Sequence, residues 1–422
     1  MDASRQVLAK MWKGALTGTR CMCRPASRKT LQSVVRQLSS RCTDKSQTRL
    51  SSSLADQADV PLNENQTRIK PVCRTSENNP LHHSGRQQGQ HYTVPPGVYK
   101  DVLQRALPLE FKKQVKTFGE ACVMIREPAL EVMNYIRNLN LDLPASRIVL
   151  YGRRGSGRSM SLAHIMHYCA EDQWIILHAP WPITWNREYK EISQSSHKPN
   201  RIDHPAHAGE WLLNFQAQNK HLLKDIKIQS SYYWTKRESA EKGTPLLDIV
   251  EFGMNRIKFA ADCVGVILKE LKQHANQKQI KVMVAVDGVN SLWAPTKIRT
   301  DEKEIVPASN ISLVHNFKKI LKSDWTNGVI VCTVDPMANT DDQREHDTPQ
   351  YLLGKEGFEC MDPFIPVLVP YYTEKEAHSC IQYFIDMNWI QTPEGKTEDG
   401  KKELIFLSNQ NPYLLTRICA SR

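Results

Sequence analysis

Residues Arg147–Cys169 read RIVLYGRRGSGRSMSLAHIMHYC, and this stretch decides the fold. Ile148, Val149, Leu150 and Tyr151 form an apolar run of strand length. A turn follows, Gly152-Arg153-Arg154-Gly155-Ser156-Gly157-Arg158-Ser159-Met160, and then Leu162, Ile165, Met166 and Cys169 recur at helical spacing. Strand, glycine-rich turn and helix is the context that a phosphate-binding loop requires. Gly152, Gly155 and Gly157 let the backbone turn its N–H groups inward, and the positive end of the next helix points at the same place. Ser159 follows the basic residue, where its hydroxyl is able to hold a magnesium ion bridging the phosphates. The pattern GxxxxGK[ST] has Lys where this chain has Arg158. Arg binds phosphate as a wide planar fork rather than a compact point charge, which suits binding better than catalysis. The alternative is a basic turn with no ligand.

Ile280-Lys-Val-Met-Val-Ala-Val-Asp287 is the second diagnostic piece. An aliphatic run ending in a carboxylate places Asp287 at the C-terminal edge of a parallel sheet, opposite the loop, where it organises magnesium with Ser159. Gly288 stands where many P-loop ATPases carry a second carboxylate that activates water. Arg158 and Gly288 together predict a site that holds nucleotide and turns it over slowly or not at all, so no catalytic residue is assigned. Trp174–Ala179 and Gly328–Asp335 supply further buried strands, with Thr333 or Asp335 at the γ-phosphate edge. Pro128–Leu139 and Pro245–Leu271 each read as one helix, and Asp362–Pro370 as an edge strand.

The chain has 422 residues, room for two or three domains, and a net charge of +11, which suggests a polyanionic partner. Its 11 cysteines lack paired ligand spacing and predict reduced thiols. No apolar run approaches a membrane span, so stable membrane insertion is not expected. Ala3–Thr43 has no acidic residue but carries Arg5, Lys10, Lys13, Arg20, Arg24, Arg28, Lys29, Arg36 and Arg41. With Leu31, Val34, Val35 and Leu38 at helical spacing, residues 1–43 have the profile of a mitochondrial transit peptide rather than a nucleic-acid-binding arm. Residues 44–91 form a polar linker, disordered or ordered by a partner. Residues 92–350 form the nucleotide-binding core with an extended lead-in. Residues 351–422 form a small helical lid of winged-helix character: Thr373 and Glu376 make a capping box, Lys401–Leu407 a short strand, and Ser408–Tyr413 starts a terminal helix that runs through Cys419.

Two aromatic groups stand out. Trp181 and Trp185 follow a strand on the ligand side, able to stack on a base but more simply read as packing. Tyr232, Tyr233 and Trp234, flanked by Lys227, Lys236 and Arg237, fit nucleic acid or a protein surface equally.

Thr117-Phe-Gly-Glu120, Pro128-Ala-Leu-Glu131, Gly152–Ser159 and Val284-Ala-Val-Asp-Gly288 carry a family resemblance. So do Leu353-Gly-Lys-Glu-Gly-Phe358, Asp362-Pro-Phe-Ile-Pro366, Ser379-Cys-Ile-Gln-Tyr383, Gly400-Lys-Lys-Glu-Leu404 and Leu407-Ser-Asn409. Together they make the chain resemble the death-associated protein family, the GTP-binding P-loop component of the mitochondrial small ribosomal subunit. The resemblance implies an α/β fold of the P-loop NTPase (AAA-like) type, a parallel sheet flanked by helices with the small C-terminal domain. It implies a structural ribosomal protein in the mitochondrial matrix, contacting small-subunit rRNA and other mitochondrial ribosomal proteins and supporting mitochondrial translation. It implies GTP or GDP with Mg2+, phosphates on Gly152 through Ser159 and Met160, and metal on Ser159 and Asp287. A tie to apoptosis is also implied, and the competing reading is a nucleotide-dependent apoptotic switch acting away from the ribosome.

Overall fold

The computed structural model describes residues 73–195, 198, 200–300, 302–339 and 346–420. The transit-like arm therefore lies outside the described residues, as does most of the expected linker.

A lead-in strand β1 (His91–Thr93) pairs antiparallel with β2 (Cys122–Met124). The main sheet contains β3 (Ser146–Tyr151), β4 (Ile175–Ala179), β5 (Val282–Val286), β6 (Gly328–Thr333) and β7 (Ile365–Leu368). Its order is β7-β3-β6-β5-β4, and every pairing is parallel. The central strands are near-continuous aliphatic runs because both their faces are covered. Ile148 and Leu150 face one core cluster while Val149 faces the other.

On the first face lie α1 (Leu109–Phe118), α2 (Glu127–Asn138) and α3 (Arg158–Glu171). Met133 and Leu162 pack there with Tyr92 and Leu103 of the lead-in. The second face carries α4 (Pro205–Leu223), α5 (Leu246–Asn255), α6 (Ala260–Asn276), α7 (Ser312–Ile320) and α8 (Pro349–Met361). Trp211, Ile267, Phe317 and Leu353 are among its buried side chains. Three C-terminal helices, α9 (Glu374–Asp386), α10 (Glu398–Ser408) and α11 (Pro412–Cys419), form a smaller cluster with Cys122 and Met124 of β2. This is the α/β, AAA-like P-loop architecture read from the sequence.

Several local expectations change. The helix expected over Pro245–Leu271 is two, broken at Arg256, whose φ −116 and ψ 70 are not helical, and by a 3₁₀ turn over Ile257–Phe259. Both halves pack on α4 and on each other. Lys401–Leu407 is helical, inside α10, with Thr397 Oγ1 accepting from Gly400 N at 3.0 Å. The described segment beyond β7 is therefore helices joined by loops, with no strand, in keeping with the helical lid read from the sequence. The Thr373–Glu376 capping box of α9 is present.

Two expected boundaries are crossed by packing. β7 lies beyond residue 350 yet pairs with β3 in the core sheet. Residues from Cys73 onward, grouped with the linker, are folded: Cys73 Sγ donates to Asp386 Oδ2 at 3.2 Å, and buried His83 contacts His164 of α3 at 2.9 Å. Of the extended lead-in over residues 92–99, only the β1 portion is strand; Pro96–Val98 and Tyr99–Leu103 are helical turns. No helix among the described residues is long and apolar enough to cross a membrane.

Candidate functional site

The glycine-rich loop leaves β3 at Tyr151 and enters α3 at Arg158. Gly152, Gly155 and Gly157 take φ values of +146, +84 and +98, which side-chain-bearing residues rarely adopt. Space demands glycine too. A Cβ on Gly152 would lie 2.4 Å from Val369 O, and one on Gly155 would lie 2.5 Å from Asn411 Oδ1. Ser156 Oγ is buried inside the loop with no protein partner. The loop is a concave array of backbone donors at a helix start, the arrangement that suits phosphate oxygens.

The structure brings Ser159 and Asp287 together. Asp287 follows β5, is 7% exposed, accepts a hydrogen bond from the Thr333 hydroxyl at 2.5 Å, and has the Ser159 hydroxyl beside it. Burial pushes its carboxyl up to about 6, while those two hydroxyls and the Arg158 charge pull it down. It is still ionised at pH 7.5. A hydroxyl and a carboxylate beside a phosphate cradle are a hard-oxygen donor pair suited to magnesium, so the residues present fit that ion.

Arg158 does not lie free in the cradle. Its guanidinium crosses to the end of β6, donating to Val334 O and, at 3.0 Å, to Asp335 Oδ2. Neither γ-edge residue is free either: Thr333 Oγ1 is shared between Asp287 and Gly288 N, and Asp335 Oδ1 caps a 3₁₀ turn through Met337 N. At Gly288 the backbone has φ +77, and a Cβ would stand 2.9 Å from Trp181 Cζ3. The indole occupies the space that a water-activating carboxylate would need.

Three distant segments hold the loop in place. Arg126, 5% exposed, donates through Nη1 to Ser156 O at 2.6 Å and through Nη2 to Pro370 O at 2.9 Å. It also pairs with buried Glu376 at 3.3 Å, and its guanidinium lies 4.9 Å from the centre of the Tyr372 ring. Glu376 closes the capping box of α9 at the same time. The start of α11 completes the wall, with Asn411 Nδ2 donating to Arg154 O at 3.0 Å and Tyr413 N to Gly155 O at 3.2 Å. A cavity of about 240 Å3 opens between the loop, α1, β2, α9 and α11. Phe111, Met124, Phe384 and Tyr413 give it apolar walls, and Glu110 and Gln114 of α1 give it polar groups. It accommodates a flat apolar body attached to a phosphate tail.

Sequence reading located Gly152, Arg153, Arg154, Gly155, Ser156, Gly157, Arg158, Ser159, Met160 and Asp287, and the structure places all ten on the loop, the start of α3 or the facing strand end. It missed Arg126, Tyr372, Asn411 and Tyr413, which reach the loop from far along the chain. Asn-Pro at residues 411–412 was the available signal, a helix cap at the position that buries it.

The aromatic groups resolve differently. Trp185 and Trp211 are buried against Phe317. Tyr232 OH donates to Glu270 Oε1 at 2.5 Å, and Trp234 packs on Phe252 with ring centres 4.6 Å apart. Of Tyr232, Tyr233 and Trp234, only Tyr233, at 66% exposed, offers its face to a partner.

Comparison with known proteins follows this geometry. The family model described as "Mitochondrial ribosomal death-associated protein 3" matches residues 123–418. The chain is 46% identical over 353 residues to the Bos taurus "Small ribosomal subunit protein mS29", covering 84% of this chain and 89% of that protein. The Mus musculus protein of the same name is 45% identical over 354 residues, 84% of this chain and 90% of its own. Among solved structures, a chain of the E. coli MS115-1 HORMA:CdnC:Trip13 complex covers 76% of this chain and 80% of its own at 9% identity; its TM-score of 0.27 is too low to bear on the fold.

Proposed function

The chain belongs to the mitochondrial ribosomal death-associated protein 3 family, and from that premise we propose that it holds a guanine nucleotide with Mg2+ as a stabilising ligand, without efficient hydrolysis. Membership and the two mammalian relatives support its place as a structural protein of the small ribosomal subunit in the mitochondrial matrix, beside rRNA and other ribosomal proteins. The observation that carries the nucleotide reading is the meeting of Ser159 and Asp287 beside the left-handed glycines of the loop, at the mouth of an apolar-walled cavity. The phosphates take the loop amides and the start of α3. Ser159 and Asp287 hold the metal, and the base lies toward Phe111 and Tyr413. Guanine follows the family resemblance, since the cavity walls carry no base-selective motif.

Slow turnover follows from Gly288. Hydrolysis needs a group that accepts a proton from water in line with the γ-phosphate, and Trp181 fills that place. Calorimetric titration of the full chain with GDP, GTP and ATP, each with and without Mg2+, tests the reading. Guanine nucleotides are expected to bind in a Mg2+-dependent way, and Ser159→Ala is expected to remove the metal dependence. No heat of binding from any of the three would overturn the proposal, and sustained phosphate release from GTP would overturn its non-enzymatic part.

A further inference from the structure

A second cavity, of about 370 Å3, lies beyond the free edge of β4, away from the glycine loop. His207, Trp211 and Asn214, at i, i+4 and i+7 on α4, form one wall. The segment after β4 brings Trp181 to the opposite side, and Lys112 of α1 closes the top. Hydrogen bonds pre-form this shape: His207 Nε2 meets Glu188 O at 3.2 Å, Arg105 Nη1 donates to Glu210 O at 3.2 Å, and Trp211 Nε1 donates to His178 O at 2.9 Å.

Asn214 is only 4% exposed, and its Nδ2 finds no acceptor among the described residues. A buried amide donor without an acceptor destabilises the fold unless a ligand supplies one. Lys112 is half-buried, and no described carboxylate pairs with it; burial pushes its ammonium pKa down, and the Arg105 charge adds to that. Both groups therefore want an anionic acceptor. Around them Arg105, Lys112 and Lys190 face the exposed rim carboxylates Glu188 and Glu210, which leaves one positive charge in surplus. A single surplus charge matches a phosphodiester, which carries one negative charge. It disfavours a triphosphate tail, which would meet both rim carboxylates. Trp181 is partly exposed beside these donors, an indole with an edge on the cavity where a base is able to stack.

We infer that this cavity seats one nucleotide of a single-stranded RNA segment, its phosphodiester against Lys112 and the Asn214 amide and its base toward Trp181. The site shares Trp181 with the contact at Gly288, but its phosphate donors, Lys112 and Asn214, do not line the glycine-loop cavity.

Fluorescence anisotropy of the full chain with a fluorescein-labelled, unstructured ten-nucleotide RNA tests this. The RNA is expected to bind, with Lys112→Glu weakening it by about tenfold or more and lowering the salt slope by about 1. Asn214→Leu, checked for folding by circular dichroism, is expected to weaken binding several-fold, whereas Lys220→Glu, outside this cavity on α4, is expected to leave it within about twofold. Ser159→Ala is expected not to change RNA affinity, which separates this result from any failure of the loop reading. The inference is overturned if the wild-type chain does not bind the RNA. It is equally overturned if both Lys112→Glu and Asn214→Leu bind like wild type, or if free UTP displaces the RNA.

Discussion

Asp287→Asn is expected to make the ligand-free chain more stable while removing magnesium-dependent nucleotide binding. The Asp287 carboxyl is raised from 3.8 to about 6, with burial the largest cause. A folded-state pKa above the unfolded value means that the folded chain holds the proton more tightly. This group therefore favours folding in acid, loses that contribution as pH rises between about 4 and 6, and stays unfavourable above. Two units correspond to about 3 kcal/mol at pH 7.5. Asn removes the buried charge and still accepts from Thr333, but its amide group faces the Ser159 hydroxyl without being able to accept from it as the carboxylate does. Subtracting about 1 kcal/mol for that bond leaves a net gain of about 2 kcal/mol. Urea unfolding of the full chain without nucleotide or Mg2+ measures it, and the gain is expected to fall to about 0.5 kcal/mol at pH 5. An Asn variant less stable than wild type at pH 7.5, with the same difference at pH 5, would refute the reasoning. It would mean that the carboxylate is already neutralised by its neighbours.

Other expectations follow from the same contacts. Arg126→Met leaves Glu376 buried without its cation and should cost about 3–5 kcal/mol in a urea midpoint, with Arg126→Met/Glu376→Met recovering most of it. Gly155→Ala forces a Cβ to within 2.5 Å of Asn411 Oδ1 at φ +84 and should destabilise by about 2–4 kcal/mol, with weakened nucleotide binding in the same preparation. Gly288→Glu, aimed at installing hydrolysis, should instead displace Trp181, lower stability by about 1–3 kcal/mol and give no GTP turnover in a phosphate-release assay.

The loop, the Asp-bearing strand and the sheet were legible because each is a local pattern: glycines at fixed spacing, or an aliphatic run covered on both faces. The break at Arg256 was not, since apolar periodicity reports which side of a helix is buried and is silent about its axis. Lys401–Leu407 misled for another reason. Its run Leu404-Ile405-Phe406-Leu407 reads as strand, yet Phe406 is 83% and Leu407 55% exposed, so these apolar residues do not report a core. The partners of the loop were hidden by distance. Arg126 and Glu376 lie 250 positions apart, and no local window contains both.

The contact between Asn411 and the loop has a consequence for how the pocket comes into being. Asn411 is synthesised 257 residues after Arg154, whose carbonyl it holds. A nascent chain can form its glycine loop and most of its sheet long before the opposing wall exists. A product halted before Asn411 would present the loop without this brace, and the proposed nucleotide would be held less tightly.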